Sequence, residues 1–382
     1  MSTEKKKVLV MADWFAPGFK AGGPIRSLVN FTQHLKGELD LYVLTTDRDL
    51  NETVPYKGIV QNTWTDFDAG IKIFYASPSW LSFANIKREI NQLQPELIYL
   101  NSMYSRFFSL YPLLLKKMGG VKSKFVLSPR GMLRDTAVRF RRRKKLIFLN
   151  FFRMAGLQKD MVFHCTDDIE VNDVKKYFGE VPTVKFSNLP NFQKPLVLPS
   201  GKKKNSLKIL YVGRIHPIKN LDFLLQVMQP LSVFVELTVI GNMEDKEFWK
   251  KCELLISKLP SNIKVNYRGE IPNEQIKEII LEHDIFALPT QGENFGHAIF
   301  EALSAGRPVV ISDQTPWVRL SQWKAGWDIS LKEPGRFTEA LKLFSCMSQE
   351  ELNEWCVGAW QFAHNYIAQS DLRKEYLGLF VT

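Results

Sequence analysis

Apolar residues fall in short, nearly unbroken runs, and between the runs apolar positions recur at helical spacing. In the first half the runs are KVLVMAD (7–13), LDLYVLTTD (39–47), IKIFYA (71–76), ELIYLNS (96–102), KFVLSPR (124–130) and MVFHCT (161–166). Helical periodicity fits 24–36, 79–93, 105–118, 137–155 and 167–177. Strands that are apolar along their length, alternating with helices, predict parallel sheets covered by helices. After 180 a proline-rich passage, with prolines at 182, 190, 195 and 199, ends in the basic cluster Lys202–Lys204. That is the signature of a linker with an exposed end. The pattern then restarts with LKILYVGR (207–214), VELTVIGN (235–242), IKVNYRG (263–269), DIFALPT (284–290) and PVVISD (308–313).

Each half is therefore predicted to be its own doubly wound, Rossmann-like α/β unit. The domains expected are 1–195 and 205–359, facing across a cleft, with a C-terminal helix from about 360 to 382 packing back on the first. A chain of 382 residues has room for two such cores. Ligands of such sheets bind beyond the carboxyl ends of the strands, so chemistry is sought in the loops that follow them. No apolar stretch approaches the ~20 residues of a membrane span; LIFLNFF (146–152) is interrupted by Asn150 and followed by Arg153. Cys165, Cys252, Cys346 and Cys356 are scattered without metal-ligand spacing and read as reduced thiols of a cytoplasmic protein.

Charge sharpens the picture. The net +11 sits in the first half: residues 1–200 carry 30 Lys/Arg against 18 Asp/Glu, whereas 201–382 carry 21 against 22. Within 116–145 twelve basic residues face one acidic residue, Asp135. Such a field predicts an anionic partner. The stretch 137–156 sets Arg141, Arg142, Arg143, Lys144 and Lys145 beside Leu146, Ile147, Phe148, Phe151 and Phe152. That mixture suits a helix lying on an anionic membrane face, peripheral to the inner side of the plasma membrane. A core helix with one solvated, basic side is the alternative. The patch belongs to no nucleic-acid-binding fold, and no nucleic-acid partner is expected.

Two loops carry the candidate chemistry of the second half. In PTQGENFGHAIFEALSAGRPVV (289–310) a strand ends at Pro289 and a helix is expected to start near Phe295. The free N–H groups and partial positive charge of a helix start let the Asn294, Phe295 and Gly296 amides receive a phosphate. Glu293 precedes that helix and Glu301 lies about two turns inside it, so the two bracket an extended ligand; the plainer alternative makes them a dipole partner and a solvated face residue. In YVGRIHPIKNLDFLL (211–225) a strand delivers Arg214, and Lys219 follows five residues on. Two converging cations suit a diphosphate, and two unrelated surface cations are the alternative. In the first half, WFAPGFKAGGPIRSLVNF (14–31) places Gly22 and Gly23 before Pro24 at a helix start, an open backbone cradle. The DxD sequences Asp47–Asp49 and Asp66–Asp68 read as turn or capping residues, and no obligatory metal is expected.

GGPIRS after the first strand, GRIHPIKN at the start of the second half and ENFGHAIFE with its E-x7-E spacing resemble family 4 glycosyltransferases of the GT-B fold, over nearly the whole chain. LNSMYSRFFSLYP, SPRGML before a basic run, FHCTDDIE and ENFGHAIFEALSAGRPVVISDQTPW resemble bacterial exopolysaccharide, capsule or O-antigen transferases. The resemblance implies retaining transfer from a nucleotide-diphospho sugar. Arg214 and Lys219 would neutralise the diphosphate, Glu293 bind donor-sugar hydroxyls, Glu301 the ribose, and the 294–296 amides the β-phosphate. Gly22 and Gly23 would face the same phosphates. Where many members carry a histidine after the fourth strand, this chain reads LNSMY, so Asn101 or Ser102 takes that place. His164 then becomes the cleft histidine, with a buried structural role as the alternative. Arg130 is expected to point toward an acceptor phosphate. A polyprenyl-diphosphate-linked saccharide would account for the basic segment without a membrane span. A UDP-sugar 2-epimerase shares both halves of this fold but does not need Glu293 so placed.

Overall fold

The computed structural model describes residues 5–139, 141–191, 195–369 and 371–381. The chain divides into two compact units, Met1–Leu189 with Asp371–Thr382, and Pro190–Ser370.

The first unit runs β1 (Lys6–Met11), α1 (Gly23–Leu35), β2 (Leu39–Thr46), β3 (Trp64–Asp68), β4 (Ile71–Ala76), α2 (Phe83–Leu93), β5 (Leu97–Leu100), a π-helical turn (Arg106–Leu110), α3 (Tyr111–Lys117), β6 (Lys124–Leu127), α4 (Asp135–Arg139), α5 (Arg142–Met154), β7 (Val162–Cys165), α6 (Asp168–Phe178) and β8 (Thr183–Lys185). Its sheet order is β3-β4-β2-β1-β5-β6-β7-β8. The neighbours pair in parallel except β3 with β4. The inner strands are buried on both faces, Val8 to Met11 and Leu97 to Leu100 being nearly inaccessible. Each such side chain contributes roughly 1.5–3 kcal/mol by leaving water. β1 lies at the point where the winding direction reverses, between β2 and β5.

Two strands here differ from the sequence expectation. β3 (WTDFD) is half-exposed and antiparallel, so its apolar content is too low to announce it. β8 lies inside the proline-rich passage and pairs with β7, which carries the first unit through Leu189. The long helix expected over 137–155 is two helices, with Arg141 in the left-handed conformation ahead of α5.

The second unit runs β9 (Ser206–Val212), α7 (Leu221–Met228), β10 (Phe234–Ile240), α8 (Lys246–Ile256), β11 (Ile263–Tyr267), α9 (Asn273–Leu281), β12 (Ile285–Leu288), α10 (His297–Ser304), β13 (Val309–Ser312), β14 (Gly326–Ile329), α11 (Pro334–Cys346) and α12 (Gln349–Gln369). Its sheet, β11-β10-β9-β12-β13-β14, is parallel throughout, and β9 lies between β10 and β12 at the reversal of winding. The linker's basic end is not wholly exposed. Lys202 turns its side chain inward, 3.6 Å from Asp284, and its N–H donates to Gln349 at 2.9 Å. Fully buried Arg307 donates to the carbonyls of Val197 and Leu281, each at 2.9 Å, tying the incoming segment down. A last helix, α13 (Leu372–Val381), returns to the first unit, where Tyr376 and Phe380 pack on Phe31.

Candidate active site

The second unit brings its predicted residues to the carboxyl ends of β9 and β12. Gly213 continues β9, and a side chain there would contact the Lys219 stem, Leu288 and the Tyr211 hydroxyl at 3.6 Å. Gly241, at the end of β10, permits this approach, because a Cβ on it would lie 1.9 Å from the Gly213 carbonyl oxygen. Lys219 and Glu293 form an ion pair whose side chains are only 15% and 13% exposed. Three hydrogen bonds to main-chain carbonyls hold their loops together: Gln291 N–H to the Ile218 carbonyl at 2.7 Å, Thr290 Oγ1 to the same carbonyl at 3.0 Å, and Asn220 Nδ2 to the Pro289 carbonyl at 2.9 Å. The loop after β13 joins through Gln314, whose carbonyl accepts from the Glu293 N–H at 3.1 Å. Arg214 leaves the same strand end but bonds Glu244 at 2.6 Å, so it does not share the Lys219–Glu293 contact.

α10 starts at His297, two residues later than expected, because Gly296 takes a left-handed conformation (φ 75°) as its cap. No side chain caps this end. Asn294 is half-buried in the preceding loop, whereas the Phe295 ring is buried against Trp317, 5.0 Å between centroids, and offers a ligand only its backbone. Glu301 is half-buried on the second turn of α10. Sequence reasoning missed Trp317, whose buried Nε1 has no hydrogen-bond partner and would lie 3.3 Å from a Cβ placed on Gly296. Its one signal was a tryptophan following Pro316 in an otherwise polar loop.

In the first unit Gly22 (φ 65°) caps α1, and Gly23 opens it. The loop before them is fixed by Asp49, whose Oδ2 accepts the N–H groups of Phe19 and Lys20 at 2.7 and 3.1 Å. The other DxD members are also tied locally. Asp47 accepts from Arg48 and Gln61, each at 2.8 Å, and Asp68 from Lys36 at 2.7 Å, while Asp66 is exposed. Among the described residues no three His, Cys, Asp or Glu side chains gather as a metal site would need. Asp13, also missed, lies two residues past β1, with its Oδ1 accepting from Ser105 Oγ at 2.8 Å. Burial pushes its carboxyl above the usual range.

The residues expected on the acceptor side form an internal network instead. His164 is fully buried, with one ring nitrogen 2.7 Å from the Tyr99 hydroxyl and the other 3.0 Å from the Phe186 carbonyl. Desolvation drives its pKa down to about 3, so it is a neutral structural residue and the cleft assignment is corrected. The reason is α13, whose Tyr376 packs edge-on to the ring and seals that strand end. Arg130, in the left-handed conformation, spends its guanidinium on Asn101 Oδ1 at 2.7 Å, the Tyr99 hydroxyl at 3.0 Å and Asn188. Asn101 is buried.

The basic segment divides by direction. Arg141, Arg142, Arg143 and Lys144 are exposed at the start of α5. Lys145, half-buried, turns inward, bonding the Ala137 carbonyl at 2.7 Å over the Tyr104 ring. Burial lowers its pKa, with help from Arg141. Further along α5, Leu149 and Phe152 are buried while Ile147, Phe151 and Met154 are 70%, 45% and 85% exposed. No helix among the described residues is long and apolar enough to cross a membrane.

Residues 196–346 match the family Glycosyl transferases group 1, a span containing Arg214, Lys219, Glu293 and Glu301. The fold of the chain is the GT-B class, and its second unit carries a glycosyltransferase group 1 domain. Sucrose-phosphate synthase from Thermosynechococcus elongatus shares the fold at a TM-score of 0.72 and 12% identity, covering 98% of both chains. An uncharacterized 41.2 kDa protein in the cps region of Klebsiella pneumoniae is 23% identical over 299 residues, 75% of this chain and 78% of that one. A UDP-Gal:alpha-D-GlcNAc-diphosphoundecaprenol alpha-1,3-galactosyltransferase of Escherichia coli is 30% identical over 124 residues, 30% of each chain. The chain spans only 20% to 30% of this and the other curated relatives besides the Klebsiella protein.

Proposed function

We propose that the protein is a retaining, family 4 type glycosyltransferase with no obligatory metal. It would transfer a sugar from a nucleotide-diphospho sugar to a saccharide carried on a polyprenyl diphosphate, at the inner face of the plasma membrane, in cell-surface polysaccharide assembly. The observation that carries this reading is the Lys219–Glu293 pair at the β9/β12 reversal point, beside the uncapped start of α10. Lys219 there faces the charge that grows on a departing diphosphate, and the α10 amides add fixed dipoles aimed the same way. A cation placed where charge develops favours the transition state over the bound ground state. Donor hydroxyls take the place of Lys219 at Glu293, and Arg214, in exchange for Glu244, reaches the same phosphates.

The relatives' names support the donor and acceptor classes: one sits in a cps region and another uses a UDP-sugar and a lipid diphosphate. The exposed cations of α5, flanked by Ile147, Phe151 and Met154, support contact with an anionic membrane. A thermal-shift panel of UDP- and GDP-sugars tests the donor class, since a ligand of the native state raises its melting temperature. Proton NMR of the product then reads the anomeric configuration. Inversion of the donor's configuration overturns the retaining mechanism, and the absence of any shift overturns the transferase reading.

A further inference from the structure

The two sheets reverse their winding alike, β1 between β2 and β5, β9 between β10 and β12. In sheets of this kind ligands bind beyond the strand ends at that point. In the second unit the loops after β9 and β12 meet there through Lys219 and Glu293. In the first, the loops after β1 and β5 meet through Asp13 and Ser105, at 2.8 Å. Ser105 is itself oriented, because its Oγ accepts the Phe108 N–H at 3.1 Å.

Asp13 differs from the other carboxylates of this edge. Asp47 is neutralised by Arg48, and Asp49 is consumed by three loop amides. The partners of Asp13 are the serine hydroxyls of Ser105 and Ser102 and backbone, with no cation among them. Desolvation is the largest influence on it, yet the residue keeps part of its surface open. A desolvated carboxylate without a countercharge is costly unless further donors complete its hydrogen bonds. Hydroxyl groups of a polyol ligand do this without adding charge.

From this geometry we infer that Asp13 is an acceptor-binding residue: its carboxylate accepts a hydrogen bond from a hydroxyl of the acceptor saccharide at the β1/β5 crevice. The assignment rests on the glycosyltransferase reading and adds to it a residue that selects the incoming alcohol. Asp13→Asn is the informative change, since the amide oxygen still accepts from Ser105 and the loop keeps its strut.

Saturation-transfer NMR with octyl N-acetyl-α-glucosaminide, in the presence of UDP or GDP, measures saccharide binding by wild type, D13N and D13A. The melting-temperature rise given by the nucleotide monitors the second unit in the same samples. D13N is expected to lose glycoside affinity by roughly tenfold to a hundredfold, the effect of removing a hydrogen bond to a charged group. Its melting temperature and nucleotide shift stay at wild-type values. Glycoside binding by D13N at wild-type strength overturns the inference and leaves Asp13 a loop strut. So does a wild-type protein that shifts with nucleotide but gives no glycoside signal. A wild type that shifts with neither UDP nor GDP overturns the transferase reading itself, and the Asp13 assignment with it.

Discussion

Lys219 and Glu293 lie 74 residues apart in the chain, yet their ion pair bridges the ends of the adjacent strands β9 and β12. Removing one member leaves the other charge nearly buried and alone, which costs roughly 3–5 kcal/mol in such sites. Glu293→Ala/Lys219→Ala together should therefore be more stable than either single variant, as urea unfolding would measure.

For catalysis, Lys219→Ala should lower kcat by roughly a hundredfold to a thousandfold, the usual effect of losing one preorganised charge, with a smaller change in donor KM. Steady-state kinetics with the donor found by the panel checks this. A turnover number equal to wild type removes Lys219 from the reaction.

Gly241→Ala should be severe although the position carries no chemistry. The added methyl would meet the Gly213 carbonyl at 1.9 Å and that residue's carbonyl carbon at 2.7 Å, so the backbone at the end of β9 must move. A loss of about 2–4 kcal/mol, in the upper range for single substitutions, is expected together with a diminished nucleotide-induced thermal shift.

Stability should fall on acidification partly through His164. Its folded pKa, about 3, lies below the ordinary 6.5, so the folded state holds the neutral ring while the unfolded chain takes up a proton. The contribution is complete above pH 6.5 and is lost as pH drops toward 3. Relative to His164→Gln, the wild type should lose up to about 1.4 kcal/mol per pH unit in that window. Parallel pH profiles for both proteins in urea unfolding would sink the assignment.

Membrane contact should depend on α5 in two separable ways. Reversing Arg142, Arg143 and Lys144 to Glu removes attraction worth about 1 kcal/mol per cation, and sedimentation with anionic liposomes should collapse. Ile147→Ser with Phe151→Ser should weaken binding that survives high salt, whereas Lys145→Gln should change little because its ammonium faces the Ala137 carbonyl. Full sedimentation by the charge-reversed protein rules out this surface.

Much of the architecture was legible because buried parallel strands are apolar along their whole length, as in Val8–Met11 and Val309–Ser312. Where that contrast fades, a strand leaves no mark in the sequence. β3 alternates weakly and is half-exposed, and β8 hides among prolines. In the site, Lys219 and Glu293 could be found because strand, loop and helix start follow in order. Arg130 and His164 occupy equivalent strand ends, but what covers them is α13, more than two hundred residues away, and no local pattern reports it. Lys145 shows the same limit at short range. Five cations in a row look alike until one finds a carbonyl and a ring.

The return of residues 371–382 makes the 190–370 body an insertion within a discontinuous host. A stop codon at 371 would therefore injure the amino-terminal body, stripping the cover from Phe31, His164 and Phe186 while leaving the inserted body's own sequence whole. Expressing 1–189 by itself would yield a host lacking its final piece.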